Sequence, residues 1–366
     1  MSIDLAPYFQ QTLLRWHKNE NKRELPWKEE KEVYRIWLSE IILQQTRTGQ
    51  GWKYYERFLA AYPTVQQLAA APLADVYKLW EGLGYYNRCK NLHATAVYVA
   101  GTLKGVFPKD YEGLLALKGI GPYTAAAIAS FAYNLPHAVL DGNVFRVLSR
   151  FFGIETPIDS TEGKRLFAQL AQTCLAPKKA ALYNQAIMDF GATVCKPEAP
   201  LCGSCPFRTK CAARKQERQL QLPVKEKQVK QRDRWFVYYI MHHKNQFAVE
   251  QRTGADVWQH LYQFPLQEFP TGQAMKQYLS QKAPLVPASL PKGKAKQITL
   301  TRQVVQKLSH QTIHATCVLL ALPAATRRPA AYEWRTAAGL RELPMPRILH
   351  QLLSKKVLEL FEITLE

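Results

Sequence analysis

One short stretch limits what this chain can fold into: Lys118-Gly119-Ile120-Gly121-Pro122-Tyr123, set between two apolar segments. Leu114, Leu115 and Leu117 precede it at helical spacing, and the alanine-rich run from Thr124 to Ala132 follows as a strong helix former. Gly119 and Gly121 can turn the backbone through φ > 0. Pro122 suits a first helical position, where its missing N–H costs nothing. The pattern predicts a helix, a glycine hairpin and a second helix. The free amides at the start of that second helix form an anion site with no side chain required. Formal net charge is +20, from 49 Lys and Arg against 29 Asp and Glu, so the anion to expect is a nucleic-acid phosphate. Taken alone, the hairpin also fits an ordinary helix–turn–helix connection.

Downstream, Leu140-Asp141-Gly142-Asn143-Val144 places an acid at the mouth of another amphipathic helix, where Asp is a common N-cap. Upstream, Glu40 lies on a predicted helix that begins near Glu32. It follows Ile36 by four residues and Trp37 by three, and so shares a face with bulky apolar groups. A carboxyl placed there is partly desolvated and keeps its proton to higher pH. A surface glutamate on a helix rim fits the same spacing.

With 366 residues the chain can bury two cores. The first residues have neither a basic nor an apolar signal region, and no run of 18 apolar residues occurs, so we expect a cytoplasmic protein, nucleoid-associated through binding of nucleic acid; we also expect a monomer. Four of the seven cysteines follow the pattern Cys195-x6-Cys202-x2-Cys205-x5-Cys211. Four thiols in one short loop point to a metal or a metal cluster in a reducing compartment. Zinc held by four cysteines fits this set, although zinc sites usually use two CxxC knuckles. Cys89, Cys174 and Cys317 stand apart and read as buried apolar residues.

Residues 4–19, 65–80, 87–101, 161–174 and 178–194 also read as helices. Between two of them, Glu81-Gly82-Leu83-Gly84-Tyr85-Tyr86 is a glycine loop bearing flat rings of the kind that wedge between bases, while one of its tyrosines packs inward. Residues 212–234 carry eight basic residues against three acids and read as a linker held near a phosphate backbone. Beyond it the period becomes two, with strands expected at 235–241, 247–252, 298–308 and 313–321 and helices near 273–281 and 346–354.

These motifs recur together in one family. The hairpin with its downstream aspartate resembles the helix–hairpin–helix DNA glycosylases, and the cysteine spacing is similar to their endonuclease III-like iron–sulfur loop. Ser39-Glu40-Ile41-Ile42-Leu43-Gln44-Gln45-Thr46 resembles the catalytic segment of the MutY-type adenine DNA glycosylases. The resemblance covers nearly the whole chain. It implies a multidomain protein: an all-α helix–hairpin–helix domain over 1–211, the basic linker, and an α+β Nudix-like domain over 235–366. It further implies Glu40 as the acid that protonates the leaving adenine and Asp141 as the anion beside an oxocarbenium-like sugar, with Tyr123 and Asn143 lining the site.

The same resemblance implies Gln45, Thr46, Tyr85, Gly119 and Gly121 as DNA contacts, with Gln45 and Tyr85 entering the base stack. Leu308, Ser309 and His310 would read the lesion, and Cys195, Cys202, Cys205 and Cys211 would hold a 4Fe–4S cluster. The implied partner is double-stranded DNA with adenine opposite 8-oxoguanine or guanine.

Three positions depart from the family pattern. Lys28 stands where relatives often carry Arg, Leu308-Ser309-His310 where they have Phe-Ser-His, and Tyr262-Gln263-Phe264-Pro265 where they have a tryptophan-containing turn. The second domain lacks the glutamate cluster that a Nudix hydrolase uses to hold magnesium, which leaves it a binding role. Two alternatives remain open. A bifunctional glycosylase/lyase needs a lysine where Tyr123 stands, and a non-catalytic iron–sulfur DNA-binding protein has no need of Glu40 and Asp141.

Overall fold

The computed structural model describes residues 3–24, 28–44, 46, 48–226, 231–281, 285–287, 296–300 and 303–353. Gln45, implied above as a residue that enters the base stack, lies outside them. The helices of the first 215 residues are α1 (Ala6–Asn19), α2 (Val33–Leu43), α3 (Thr48–Ala61), α4 (Val65–Ala70), α5 (Leu73–Trp80), α6 (Tyr86–Gly101), α7 (Tyr111–Leu115), α8 (Pro122–Tyr133), α9 (Gly142–Phe152), α10 (Thr161–Cys174), α11 (Ala180–Thr193) and α12 (Ala212–Lys215). The remaining elements are β1 (Arg232–His243), β2 (Gln246–Gln251), β3 (Tyr262–Gln263), β4 (Leu266–Phe269), α13 (Gly272–Leu279), β5 (Lys296–Leu300), β6 (Val304–Lys307), β7 (Gln311–Ala321), β8 (Glu333–Arg335), α14 (Ala337–Glu342) and α15 (Arg347–Leu352). Among the described residues, no helix is long and apolar enough to cross a membrane.

The chain packs as two units, Met1–Ala70 with Asn91–Gln228, and Ala71–Lys90 with Val229–Glu366. The first is helical. Its core joins Phe9, Phe151, Phe190 and Phe207, with Phe207 stacked on Phe9 at 4.8 Å. Phe207 lies inside the cysteine loop, so that loop is tied to the core by a ring whose burial contributes about 1.5–3 kcal/mol. Residues 212–226, read from composition as linker, pack here: Ala213 and Leu222 are buried, and the Ile158 amide donates to the Val224 carbonyl.

Two expectations about helices differ from the structure. The predicted helix 65–80 breaks into α4 and α5 at Pro72, because proline removes the N–H that continuing the helix needs and drives the preceding residue extended. Helix α3, with Tyr55 and Phe58 buried, was not anticipated, although Trp52, Tyr55, Phe58 and Leu59 have helical spacing.

Among the described residues, the second unit is built on an eight-stranded sheet with the order β3-β2-β1-β7-β5; β4 pairs with β1, β6 with β7 and β8 with β2. Strands β1 and β7 run parallel in register from Arg232–Gln311 to His242–Ala321. Every residue from Phe236 to Met241 is buried, so the centre of the sheet does not follow the period of two expected for it. A strand covered on both faces reads as a continuous apolar run. The strand expected over 298–308 is two strands, β5 and β6, which pair with different parts of β7.

Candidate active site

Helix α2 begins where the Glu32 carboxylate accepts the amides of Tyr34 and Arg35, and it buries Tyr34, Ile36, Trp37, Leu38, Ile41 and Ile42. That burial leaves Glu40 on the side facing an open cleft of about 1080 Å³ in the helical unit. Glu40, Tyr123, Asp141 and Asn143 all line this cleft, together with Thr46, Gly119 and Gly121. Desolvation pushes the Glu40 carboxyl up to about 7. The Asp141 charge acts in the same direction, and a side-chain hydrogen bond with Tyr123 partly offsets it. Burial holds the Tyr123 phenol well above its ordinary range, so it remains a donor. Its hydroxyl also lies 3.6 Å from the Met188 sulfur.

Asp141 is the N-cap of α9. One carboxylate oxygen accepts the Val144 amide at 2.8 Å, and the other accepts Asn143 Nδ2 at 2.8 Å. The Asn143 oxygen in turn accepts Arg146 Nη2 at 2.8 Å. Arg146 also donates to the carbonyls of Gly191 and Cys195, each at 2.8 Å. A hydrogen-bonded chain therefore runs from the first cysteine of the loop to the carboxylate.

The hairpin is supported from beneath. Ile120 is buried, and the Lys118 carbonyl accepts Thr95 Oγ1 at 2.7 Å. Gly119 has φ +81, and a Cβ there would meet Asn91 at 2.7 Å. Gly121 does not share that conformation. With φ −94 and ψ 177 it is extended, because one left-handed residue suffices to reverse this turn. No side chain caps α8, and open space adjoins Gly121.

The sequence reading missed a polar cluster at the cleft wall. Asp189 is fully buried and accepts Asn21 Nδ2 at 2.8 Å, Arg23 Nη1 at 2.9 Å and Gln185 Nε2 at 2.9 Å, with Lys28 Nζ at 3.3 Å. Arg23, Lys28 and Gln185 line the cleft. Gln185 and Asp189 stand one turn apart on α11, but that helix also carries Thr193 and the buried Asn184, so no signal in the sequence singles out this pair.

The other predicted residues fall in two places. Tyr85 and the Leu308–His310 hairpin belong to the second unit, where the Tyr85 hydroxyl and Ser309 Oγ are hydrogen-bonded. Tyr85 is exposed and Tyr86 buried. Ser309 and His310 form the exposed tip between β6 and β7, closed by the Leu308 amide on the Gln311 carbonyl at 2.8 Å.

Two of the four cysteines, Cys195 and Cys211, contact buried Arg150. Its Nη1 donates to Cys195 Sγ at 3.5 Å, and its carbonyl accepts Cys211 Sγ at 3.4 Å. Among the described residues, no set of His, Cys, Asp and Glu is gathered as a metal-holding group. The donors nevertheless fit a cationic cluster. Burial, and then the neighbouring thiols Cys195, Cys211 and Cys202, push the Cys205 thiol up to about 12, so four thiolates need a positive centre to balance them. Cys89, Cys174 and Cys317 are buried apart from this loop.

The chain is similar to known proteins in both units. Residues 38–173 match the model of the HhH-GPD superfamily base excision DNA repair protein, and residues 236–355 match the NUDIX domain. The chain is 32% identical over 309 residues to an adenine DNA glycosylase of Buchnera aphidicola subsp. Baizongia pistaciae, covering 84% of each chain. It is 34% identical over 259 residues to that of the subspecies Acyrthosiphon pisum, covering 70% of this chain and 73% of the relative. The human adenine DNA glycosylase is 42% identical over 223 residues, 58% of this chain and 41% of that one. Among solved structures, a thermostable thymine-DNA glycosylase aligns with a TM-score of 0.54 at 28% identity, covering 58% of this chain and 98% of its own. An endonuclease III–DNA covalent intermediate aligns with a TM-score of 0.52 at 19% identity over 59% of this chain and 99% of that one, which speaks to the fold alone.

Proposed function

Since the chain belongs to the adenine DNA glycosylase family and is a DNA N-glycosylase of base excision repair, we propose that it removes adenine paired with 8-oxoguanine or guanine, using Glu40 as general acid and Asp141 as the anion beside the sugar. One observation carries this reading: a carboxyl that keeps its proton to about pH 7 shares a single cleft with a carboxylate held at a helix N-terminus.

The adenine must first leave the helical stack, at a cost of a few kcal/mol. Tyr85 and Gln45 fill the gap, and Gly119, Gly121 and Thr46 hold the backbone phosphates. Glu40 then donates its proton to N7 of the base, with Tyr123 fixing the direction of the carboxyl. The glycosidic bond breaks with its electron pair leaving on adenine, and Asp141 balances the positive charge left on the sugar. Asn143, fixed between Asp141 and Arg146, holds that carboxylate in place. Water adds to the sugar carbon, and its proton returns to Glu40.

Cys195, Cys202, Cys205 and Cys211 would hold a 4Fe–4S cluster. When bound, the cluster cross-links the loop that presents Arg208 and Lys210 and leads into α12 with Arg214 and Lys215. Protein purified without oxygen should be brown and contain iron and acid-labile sulfide in equal amounts. Colourless, active protein with stoichiometric zinc would sink this assignment.

Adenine is a normal base, so recognition of the error must come from the opposite strand. There 8-oxoguanine adds an N7 hydrogen and a C8 oxygen. A serine hydroxyl donates and accepts, so Ser309 can meet both, with Leu308 and His310 beside it. The test is excision from duplexes with A opposite 8-oxoguanine and opposite G, with strand breaks read after alkali. Replacing Ser309 and His310 with Ala should cost about 1–3 kcal/mol of lesion preference and leave G:A excision much less affected. An unchanged ratio would mean that the lesion is read elsewhere, and no excision from either duplex would overturn the function.

A further inference from the structure

We propose that Glu81 is a positioning residue that locks the Tyr85 loop to the turn and helix at the C-terminal side of the sheet, so that the Tyr85 wedge and the Ser309 hairpin are presented to DNA as one rigid piece. The inference rests on the reading of Tyr85 and Ser309 given under the proposed function and adds a residue outside it.

Glu81 caps the C-terminus of α5, and its side chain is only 18% exposed. One oxygen accepts Lys78 Nζ at 2.8 Å. The other accepts the Met345 backbone amide at 2.8 Å and His350 Nε2 at 2.9 Å. Lys78 Nζ also donates to the Leu343 carbonyl at 3.2 Å. A single carboxylate thus ties the end of α5 to both sides of the turn that enters α15. These donors outweigh its desolvation and pull the carboxyl down to about 2, so the tie is ionic throughout the neutral range.

The loop C-terminal to Glu81 needs such an anchor. Gly82, Gly84 and Tyr85 all lie at positive φ, of 92, 79 and 51 respectively, and a tyrosine holds that conformation only when its surroundings impose it. Trp80 Nε1 donates to the Gly84 carbonyl at 2.9 Å, and the Arg88 guanidinium lies over the Tyr85 ring at 5.2 Å. The ring itself stays exposed, with its hydroxyl on Ser309. On either side of the loop, Tyr77 stacks on His260 and Lys90 Nζ lies 3.3 Å from His260 Nε2. Of these ties, Glu81 stands next to the loop and reaches farthest along the chain, to Met345 and His350.

The experiment uses the full chain. In Glu81→Ala, amide exchange at Met345 and across Gly82–Tyr86 should accelerate together. The preference for 8-oxoguanine:A over G:A should fall about tenfold, within the range of coupling expected through one hydrogen-bond network. Glu81→Gln, which can still accept the Met345 amide, should restore much of both. The exchanged pair Lys78→Glu with Glu81→Lys re-forms the α5 pair but not the tie to Met345, and should restore neither. Faster exchange at Met345 with an unaltered Tyr85 loop would overturn the proposal, as would rescue by the exchanged pair. If the wild type shows no lesion preference, the reading of Ser309 fails, and coupled or independent loosening of the two segments still decides the lock.

Discussion

Glu40→Gln is expected to abolish adenine release, by about 10³-fold or more in single-turnover rate, while mismatch binding measured by gel shift stays within a few-fold. Glutamine keeps the size of the side chain and still accepts the Tyr123 hydroxyl, but it has no proton to give. The wild-type pH profile depends on the same group. Its carboxyl is held up to about 7, so the protonated fraction, and with it the excision rate, should be full below that value and fall about tenfold per pH unit well above it. The variant should lose that limb of the profile. Folding works in the other direction. An unfolded chain gives up this proton near 4.5 and the folded one near 7, so Glu40 costs stability as pH rises between them, and Gln should unfold no earlier at pH 8. Equal losses of binding and excision in a folded variant would assign Glu40 a structural role.

Asp141→Asn is expected to lower the excision rate by about 10²–10³-fold, the scale seen when one preorganised charge partner is removed from a reacting centre. The replacement is not neutral for its neighbours. The oxygen that accepts the Val144 amide can remain, so the cap of α9 survives. The new amide, however, would face Asn143 Nδ2, donor against donor, and turning Asn143 to relieve this forfeits its bond from Arg146. Asp141→Ala should lose the cap as well, at about 1 kcal/mol, and melt earlier than the Asn variant. If thermal midpoints and excision fall in parallel through the two variants, Asp141 is a cap and nothing more.

Short-range patterns were legible in the sequence because neighbouring residues carry them. Gly119 and Pro122 specify the hairpin through backbone freedom and a missing N–H, and both needs are local. Asp141 is a helix cap whose partners lie within three residues. The apolar face that desolvates Glu40 is written at intervals of three and four along α2, and the cysteine loop is a matter of spacing within 17 residues. The second unit's strands were legible from their alternating pattern, and its Nudix-like fold from the family resemblance alone. Its centre was misread as alternating, because burial of both faces of β1 depends on what packs above and below it.

Tertiary structure alone decided which distant groups meet. Asp189 gathers Asn21, Arg23 and Lys28 from more than 160 positions away, and no local signal records that a buried carboxylate has found its cations. The chain from Cys195 through Arg146 and Asn143 to Asp141 joins a loop to a helix start across nearly 50 residues. Segment 71–90, which in sequence belongs to the helical half, packs with the sheet-bearing unit and sets Tyr85 against Ser309, 224 positions away. The sequence specifies the types of group by local propensity and spacing. Their pairing depends on how helices and strands close over a core, where burial makes an unpaired charge too costly to leave.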